Sequence, residues 1–168
     1  MVVATLLILA RWRAAADSLA RMAVHDSREV VIEASSDEVL DVIADVESSP
    51  QWSPAQQKVE IVDTDDEGRP HQVKMKVKSA GITDECVVEY TWADDVVSWS
   101  LVSSTAQKRQ DASYTLTPEG DKTRVKFDLT VDPKIPVPGF VMRRAIKGAM
   151  NDATDGLRKR VLSLKKGR

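Results

Sequence analysis

The side chains able to move a proton or hold a metal are few and far apart: His25, His71, Cys86, Tyr90 and Tyr114, with Glu89, Arg109 and Asp111 close to the tyrosines in sequence. A single cysteine forms no intrachain disulfide and no thiolate zinc cluster. Two histidines fall short of most metal sites and of triad chemistry. Acid–base catalysis needs at least one group that exchanges a proton beside the reacting atom. Strand alternation puts Glu89 on the face opposite Tyr90, and Arg109 and Asp111 on the face opposite Tyr114. With the aromatics pointing in, those charges point out. The two phenols that remain, with an ordinary pKa of about 10, are poor bases. His71, beside Pro70 and a turn, is expected in solvent, and Cys86 is expected to be a small core residue. No Ser/His/Asp set and no Gly-rich phosphate loop is present. The sequence therefore assigns no catalytic residue, no metal and no cofactor.

The elements that must position the tyrosines are legible as changes of hydrophobic period. Val30-Val31-Ile32 reads as a first, short strand. Ser35 and Ser36 offer helix caps with Glu38 in capping-box position, and Val39, Leu40, Val42, Ile43 and Val46 follow at helical spacing. The run Ser48-Ser49-Pro50 is expected to stop that helix, because the residue before a proline is pushed out of the α region. From Val59 the period becomes two, through Val73, Met75 and Val77, then Cys86, Val88, Tyr90 and Trp92, then Val97, Trp99 and Leu101. Ala112, Tyr114 and Leu116, then Val125, Phe127, Leu129 and Val131, complete about six strands joined by short turns, the pattern of an antiparallel meander.

The proline-rich crossing from Pro133 to Gly139 leads into a helix over about 140–164, which spans on the order of 35 Å. Its inner stripe is expected to be Met142, Ala145, Ile146, Ala149, Ala153, Leu157 and Val161. That stripe is mostly small, which suits either close helix–sheet contact or a helix that roofs a cavity. Arg158, Lys159, Arg160, Lys165 and Lys166 gather at the far end, where positive charge offsets the helix dipole. A solvated basic end is the expectation. The alternative is transient docking of that end on an anionic membrane or on an RNA-bearing partner such as the ribosome.

The chain has 168 residues, 42% apolar and 30% charged, with a net charge of −2. This suits one globular domain with a proper core and argues against a general DNA binder. Val2 to Ala10 is apolar but too short to span a bilayer, and Arg11-Trp12-Arg13 breaks the pattern of an export signal. Residues 1–21 are read as an extension of uncertain status, with Met22 an alternative start, and 22–168 as the domain, with a cytoplasmic location expected.

The stretch "IEASSDEVLDVIADVESSPQW" (Ile32 to Trp52) resembles the N-terminal signature of the START-like superfamily, also called SRPBCC, and most nearly its polyketide cyclase/dehydrase and coenzyme Q-binding-protein branch. "YTWADDVVSWSL", "KRQDASYTLTPEGDKTRV" and "VDPKIPVPGFVMRR" follow in the same order and spacing. Ala112 departs from the pattern, since relatives often carry glycine there. The resemblance implies an α+β helix-grip fold, a curved antiparallel sheet wrapped around a long C-terminal helix, with an apolar cavity between them. It makes Trp52 a plug at one end of the grip. Combined with the strand faces, it makes Met75, Val77, Cys86, Val88, Tyr90, Trp92, Trp99, Leu101, Tyr114 and Phe127 candidates for the cavity wall, with Met142, Ile146, Ala149 and Ala153 from the helix. The function implied is binding of a hydrophobic small molecule such as a lipid, quinone or polyketide. A cyclase/dehydrase-type enzyme is the alternative.

Overall fold

The computed structural model describes residues 23–167, so the expectations for residues 1–21 fall outside the described residues. Seven strands form one antiparallel sheet: β1 (Val24–Ile32), β2 (Gln56–Thr64), β3 (Pro70–Ser79), β4 (Ile82–Trp92), β5 (Val96–Ser104), β6 (Gln107–Glu119) and β7 (Lys122–Pro133). Their order is β1-β7-β6-β5-β4-β3-β2, a six-stranded meander with β1 added beside β7. β1 is longer than its three β-branched residues suggested. Pairing with β7 from Val24↔Val131 to Ile32↔Thr123 draws the polar residues 25–29 into the ladder, which hydrophobic period alone does not reveal.

Short turns set the register of the meander. Ser79 pairs with Ile82 across two residues that both adopt left-handed backbone, Ala80 (φ 49°) and Gly81 (φ 80°). Such a turn matches the right-handed twist of the strands it joins.

Helix α1 (Ser36–Ala44) begins with the expected capping box: the Glu38 N–H donates to Ser35 Oγ (3.3 Å) and the Ser35 N–H to Glu38 Oε2 (2.9 Å). Val39, Val42 and Ile43 are buried on its inner face. Contrary to expectation, Pro50 is not where the α-helix stops. The helix ends at Ala44, and Pro50 lies inside a 3₁₀ helix, Val46–Gln51. That segment is held by Ser48 N–H to Asp45 O and by the N–H groups of Trp52 and Ser53 to Ser49 O, none of which needs a donor at residue 50.

The C-terminal helix has three parts: α2 (Gly139–Asn151), a π-helical turn (Asp152–Gly156) and α3 (Leu157–Lys166). The wider turn shifts the phase of the buried stripe, so Met150 and Thr154 join Ile146, Ala153, Leu157 and Val161 in the core. Met142 and Ala149 are only partly buried. The basic end is less free than expected. Arg158 makes two bonds to Glu33 (3.0 and 2.8 Å), and Lys165 reaches Glu33 O (3.1 Å) and Glu38 (3.7 Å), tying α3 to the end of β1 and the start of α1.

Candidate functional site: an apolar cavity under the long helix

Strand alternation puts a row of large side chains on the sheet's inner face. Tyr90 and Trp99 are cross-strand partners with ring centroids 5.1 Å apart, and Tyr114 and Phe127 are partners 4.8 Å apart. The opposite partner of Trp99 is Ala112, whose small side chain leaves the indole room to approach Phe127 (5.9 Å) and Tyr114 (5.9 Å). The result is a continuous aromatic floor across four strands.

Above this floor lies a cavity of about 260 Å³. Met142, Ala145, Ile146 and Ala149 of α2 form its roof, with Asp152 and Ala153 of the π turn. Small side chains at 145, 149 and 153 keep the helix from filling the space. Of the wall residues expected from the sequence, Met75, Val77, Cys86, Tyr90, Trp99, Tyr114, Phe127, Met142, Ile146, Ala149 and Ala153 border the cavity.

Val88, Trp92 and Leu101 do not. Val88 has the inward parity, is fully buried and pairs with Val73 and Leu101, but does not border the cavity. The Trp92 indole N–H donates to Pro70 O (2.7 Å) and its ring stacks on Tyr90, which holds it beside the start of β3. Leu101 follows a register shift at Val87/Val88 in the β4–β5 ladder, where simple alternation is interrupted.

The wall includes residues that sequence reasoning missed. Ile43, Val46 and Ser53 border it beside the π turn, as does Trp52, the residue expected at one end of the grip, which is partly buried there. The indole N–H groups of Trp52 and Trp99 are buried without a hydrogen-bond partner among the described residues, and both are covered, so neither offers the cavity a donor. Asp84 and Asp152 are the two carboxylates in the wall. Asp84 shares the parity of Cys86 and Tyr90, and Asp152 lies three positions beyond Ala149. Period two and period 3.6 respectively pointed at them, but their charge set them apart from the apolar pattern.

These carboxylates have opposite environments. Burial pushes the Asp84 pKa up, but bonds from Gln107, Ser104, Thr105 and the Ala106 N–H outweigh it, and the net shift is downward. The contacts are close: Gln107 Nε2 at 2.6 Å, Ser104 Oγ at 2.7 and 2.8 Å, and Thr105 Oγ1 and Ala106 N at 2.9 Å. The carboxylate is consumed in pinning the β5–β6 turn. At Asp152 burial dominates, and Ser53 Oγ (3.2 Å) and the Ala55 N–H only partly compensate, so its pKa is raised.

Other candidate groups are accounted for. The Tyr114 hydroxyl donates to Ala153 O (3.1 Å). Burial raises the pKa of both Tyr90 and Tyr114, so each stays a neutral phenol. The Cys86 thiol is pushed up to about 12, chiefly by burial. Glu89, Arg109 and Asp111 face away from the cavity as alternation required, with Arg109 paired to Asp111. His71 is partly exposed to solvent, as expected, and is also paired. It lies on β3 with Nδ1 3.0 Å from Asp63 and Nε2 3.6 Å from Glu89, and the Asp63 bond leads in raising its pKa. Among the described residues no group of three or more His, Cys, Asp or Glu is arranged to hold a metal, and no helix is long and apolar enough to cross a membrane.

This architecture has known counterparts. A family described as polyketide cyclase/dehydrase and lipid transport matches residues 23–162. No curated protein sequence matches the chain. Among solved structures, a START superfamily protein from Mycobacterium smegmatis is 25% identical, with a TM-score of 0.76 over 83% of this chain and 98% of that one. The Zhui aromatase/cyclase from a Streptomyces species is 14% identical, with a TM-score of 0.72 over 83% of this chain and 94% of its own. TTHA0849 from Thermus thermophilus is 21% identical, with a TM-score of 0.71 over 84% and 99%. The last two likenesses are of fold.

Proposed function

The chain belongs to the polyketide cyclase/dehydrase and lipid transport family, and from that premise we propose that it binds one compact hydrophobic molecule between sheet and helix without transforming it. The observation that carries this reading is the cavity itself: an aromatic floor under a helix whose Ala145, Ala149 and Ala153 leave the space open. A roof of leucines would fill that space and strengthen the core, so the small residues come at a cost to packing. At about 260 Å³ the space lies just below the roughly 300–1,000 Å³ of typical small-molecule pockets. That size favours a flat, few-ringed ligand, such as a quinone ring or an aromatic polyketide, over a diacyl lipid.

The test is titration with the apolar fluorophore N-phenyl-1-naphthylamine. Wild type should bind it at one saturable site. Ala149→Phe, which places a ring in the cavity from the roof, should abolish binding while the protein stays folded. Equal binding by the two proteins would refute the reading.

One observation favours a cyclase/dehydrase-type enzyme as the second reading. Asp152 is a cavity-wall carboxyl group whose pKa is raised chiefly by burial, the environment that equips a carboxylic acid for proton transfer. On this reading Asp152→Asn abolishes turnover of a cyclisable poly-β-ketone while leaving fluorophore binding intact. Failure of wild type to accelerate any such cyclisation counts against it.

A further inference from the structure

The crossing between β7 and α2 combines three features. Ile135 borders the cavity and is also 63% exposed, so the cavity reaches the protein surface there. Phe140, at the start of α2, is 69% exposed, and these two are the most exposed large hydrophobic side chains among the described residues. The segment 133–151 carries Lys134, Arg143, Arg144 and Lys147 and not one carboxylate. All four cations are exposed. Arg143, Arg144 and Lys147 have no ion pair among the described residues, while Lys134 Nζ bonds to Ser104 O.

From this juxtaposition we propose that the lip around Ile135 and Phe140 docks on an anionic phospholipid surface, with the cavity's opening against the bilayer. Two exposed apolar side chains alone give weak adsorption, and four cations alone give weak electrostatic attraction. Stable but reversible membrane binding takes both signals together. The charge pattern selects the partner. Segment 133–151 shows one sign around an apolar centre, the pattern that complements the negative surface of an anionic bilayer while its apolar side chains enter the interface. The other basic end of the helix is the weaker candidate, because Arg158 and Lys165 are already engaged by Glu33 and Glu38.

Docking rests on these surface residues and does not require the ligand-binding reading to hold. The experiment is co-sedimentation of the full chain with phosphatidylcholine vesicles, with and without phosphatidylglycerol, at low and physiological salt. Wild type should bind only the anionic vesicles, less tightly as salt rises. Arg143→Glu with Arg144→Glu, and separately Phe140→Ser with Ile135→Ser, should each lower the affinity at least tenfold. Lys159→Glu with Lys166→Glu, at the other end of the helix, should lower it less than threefold. Melting curves should be unchanged in both lip variants, and fluorophore binding should be unchanged in Arg143→Glu with Arg144→Glu, whose residues do not border the cavity, which separates loss of docking from loss of fold or of cavity. No binding to anionic vesicles, equal binding to neutral ones, or undiminished binding by the lip variants would each overturn the proposal. The last outcome would assign any membrane affinity to a different part of the chain.

Discussion

A Cβ placed on Gly156 would stand 2.7 Å from the carbonyl oxygen of Trp52. The π turn and the segment after the 3₁₀ helix touch backbone to backbone, and glycine is the residue that permits it. Gly156→Ala should therefore destabilise the protein by about 1–3 kcal/mol, although alanine is intrinsically the better helix former by about 1 kcal/mol. Gly148 is the control. It lies in α2 with open space where its Cβ would go, so Gly148→Ala should stabilise by about 0.5–1 kcal/mol. Chemical denaturation of the two variants should give shifts of opposite sign. Two stabilising shifts would show that the contact at Trp52 yields.

The β3–β4 turn holds a non-glycine residue in left-handed backbone, Ala80. For most side chains that conformation costs roughly 1–2 kcal/mol, and asparagine tolerates it better. Ala80→Asn should raise the melting temperature by a few degrees, corresponding to about 0.5–1 kcal/mol. An unchanged or lower melting temperature would argue against the two-residue turn.

The two carboxylates of the cavity wall predict opposite pH dependence. Asp84 has a lowered pKa, so its stabilising contribution is present above the ordinary carboxylate value and is lost as pH falls through the folded value. Asp84→Asn should cost about 1.5–3 kcal/mol at neutral pH, and less in acid. Asp152 has a raised pKa, so the folded state favours its protonated form and stability falls as pH rises from the ordinary carboxylate value through the folded one. Asp152→Asn, which still accepts from Ser53, should raise the melting temperature at neutral pH, with the gain shrinking in acid. Parallel pH profiles for the two variants would contradict the assignment.

Cys86 is buried, with its thiol pushed up to about 12. Because the thiolate is the reactive form, the native protein at pH 8 should react with dithiobisnitrobenzoate only at the rate of unfolding. Mild denaturant should accelerate the reaction in step with loss of structure. Fast reaction of the native state would place the thiol in contact with solvent.

Much of this site was legible before the structure, because its floor follows a rule with period two. Met75, Tyr90, Trp99, Tyr114 and Phe127 alternate strictly with polar neighbours, and the sheet carries that alternation into space. The capping box at Ser35 and Glu38 was equally local. What alternation does not report is where along the inner face the cavity lies, so fully buried Val88 shares the parity of the wall without bordering it. Irregular backbone hides from periodicity too. The register shift at Val87/Val88 moved Leu101 away, and the π turn brought Met150 and Thr154 into the core. Ser53 reaches the wall through tertiary packing against Asp152 of the π turn, for which no local signal exists, whereas Trp52 was expected near the grip from the family resemblance. Asp84 and Asp152 were on the correct faces, but a carboxylate in an apolar row reads as surface until its hydrogen-bond donors are seen.

The central claim is that the space between the aromatic floor and the helix is a binding site. The most direct measurement is native mass spectrometry of the protein purified gently from its own host, with extraction of whatever is bound, beside Ala149→Phe prepared in the same way. The account predicts a stoichiometric excess mass that extracts as one apolar, few-ringed class of compound, and its absence from Ala149→Phe. An empty wild-type protein, or the same excess mass in the variant, would contradict it.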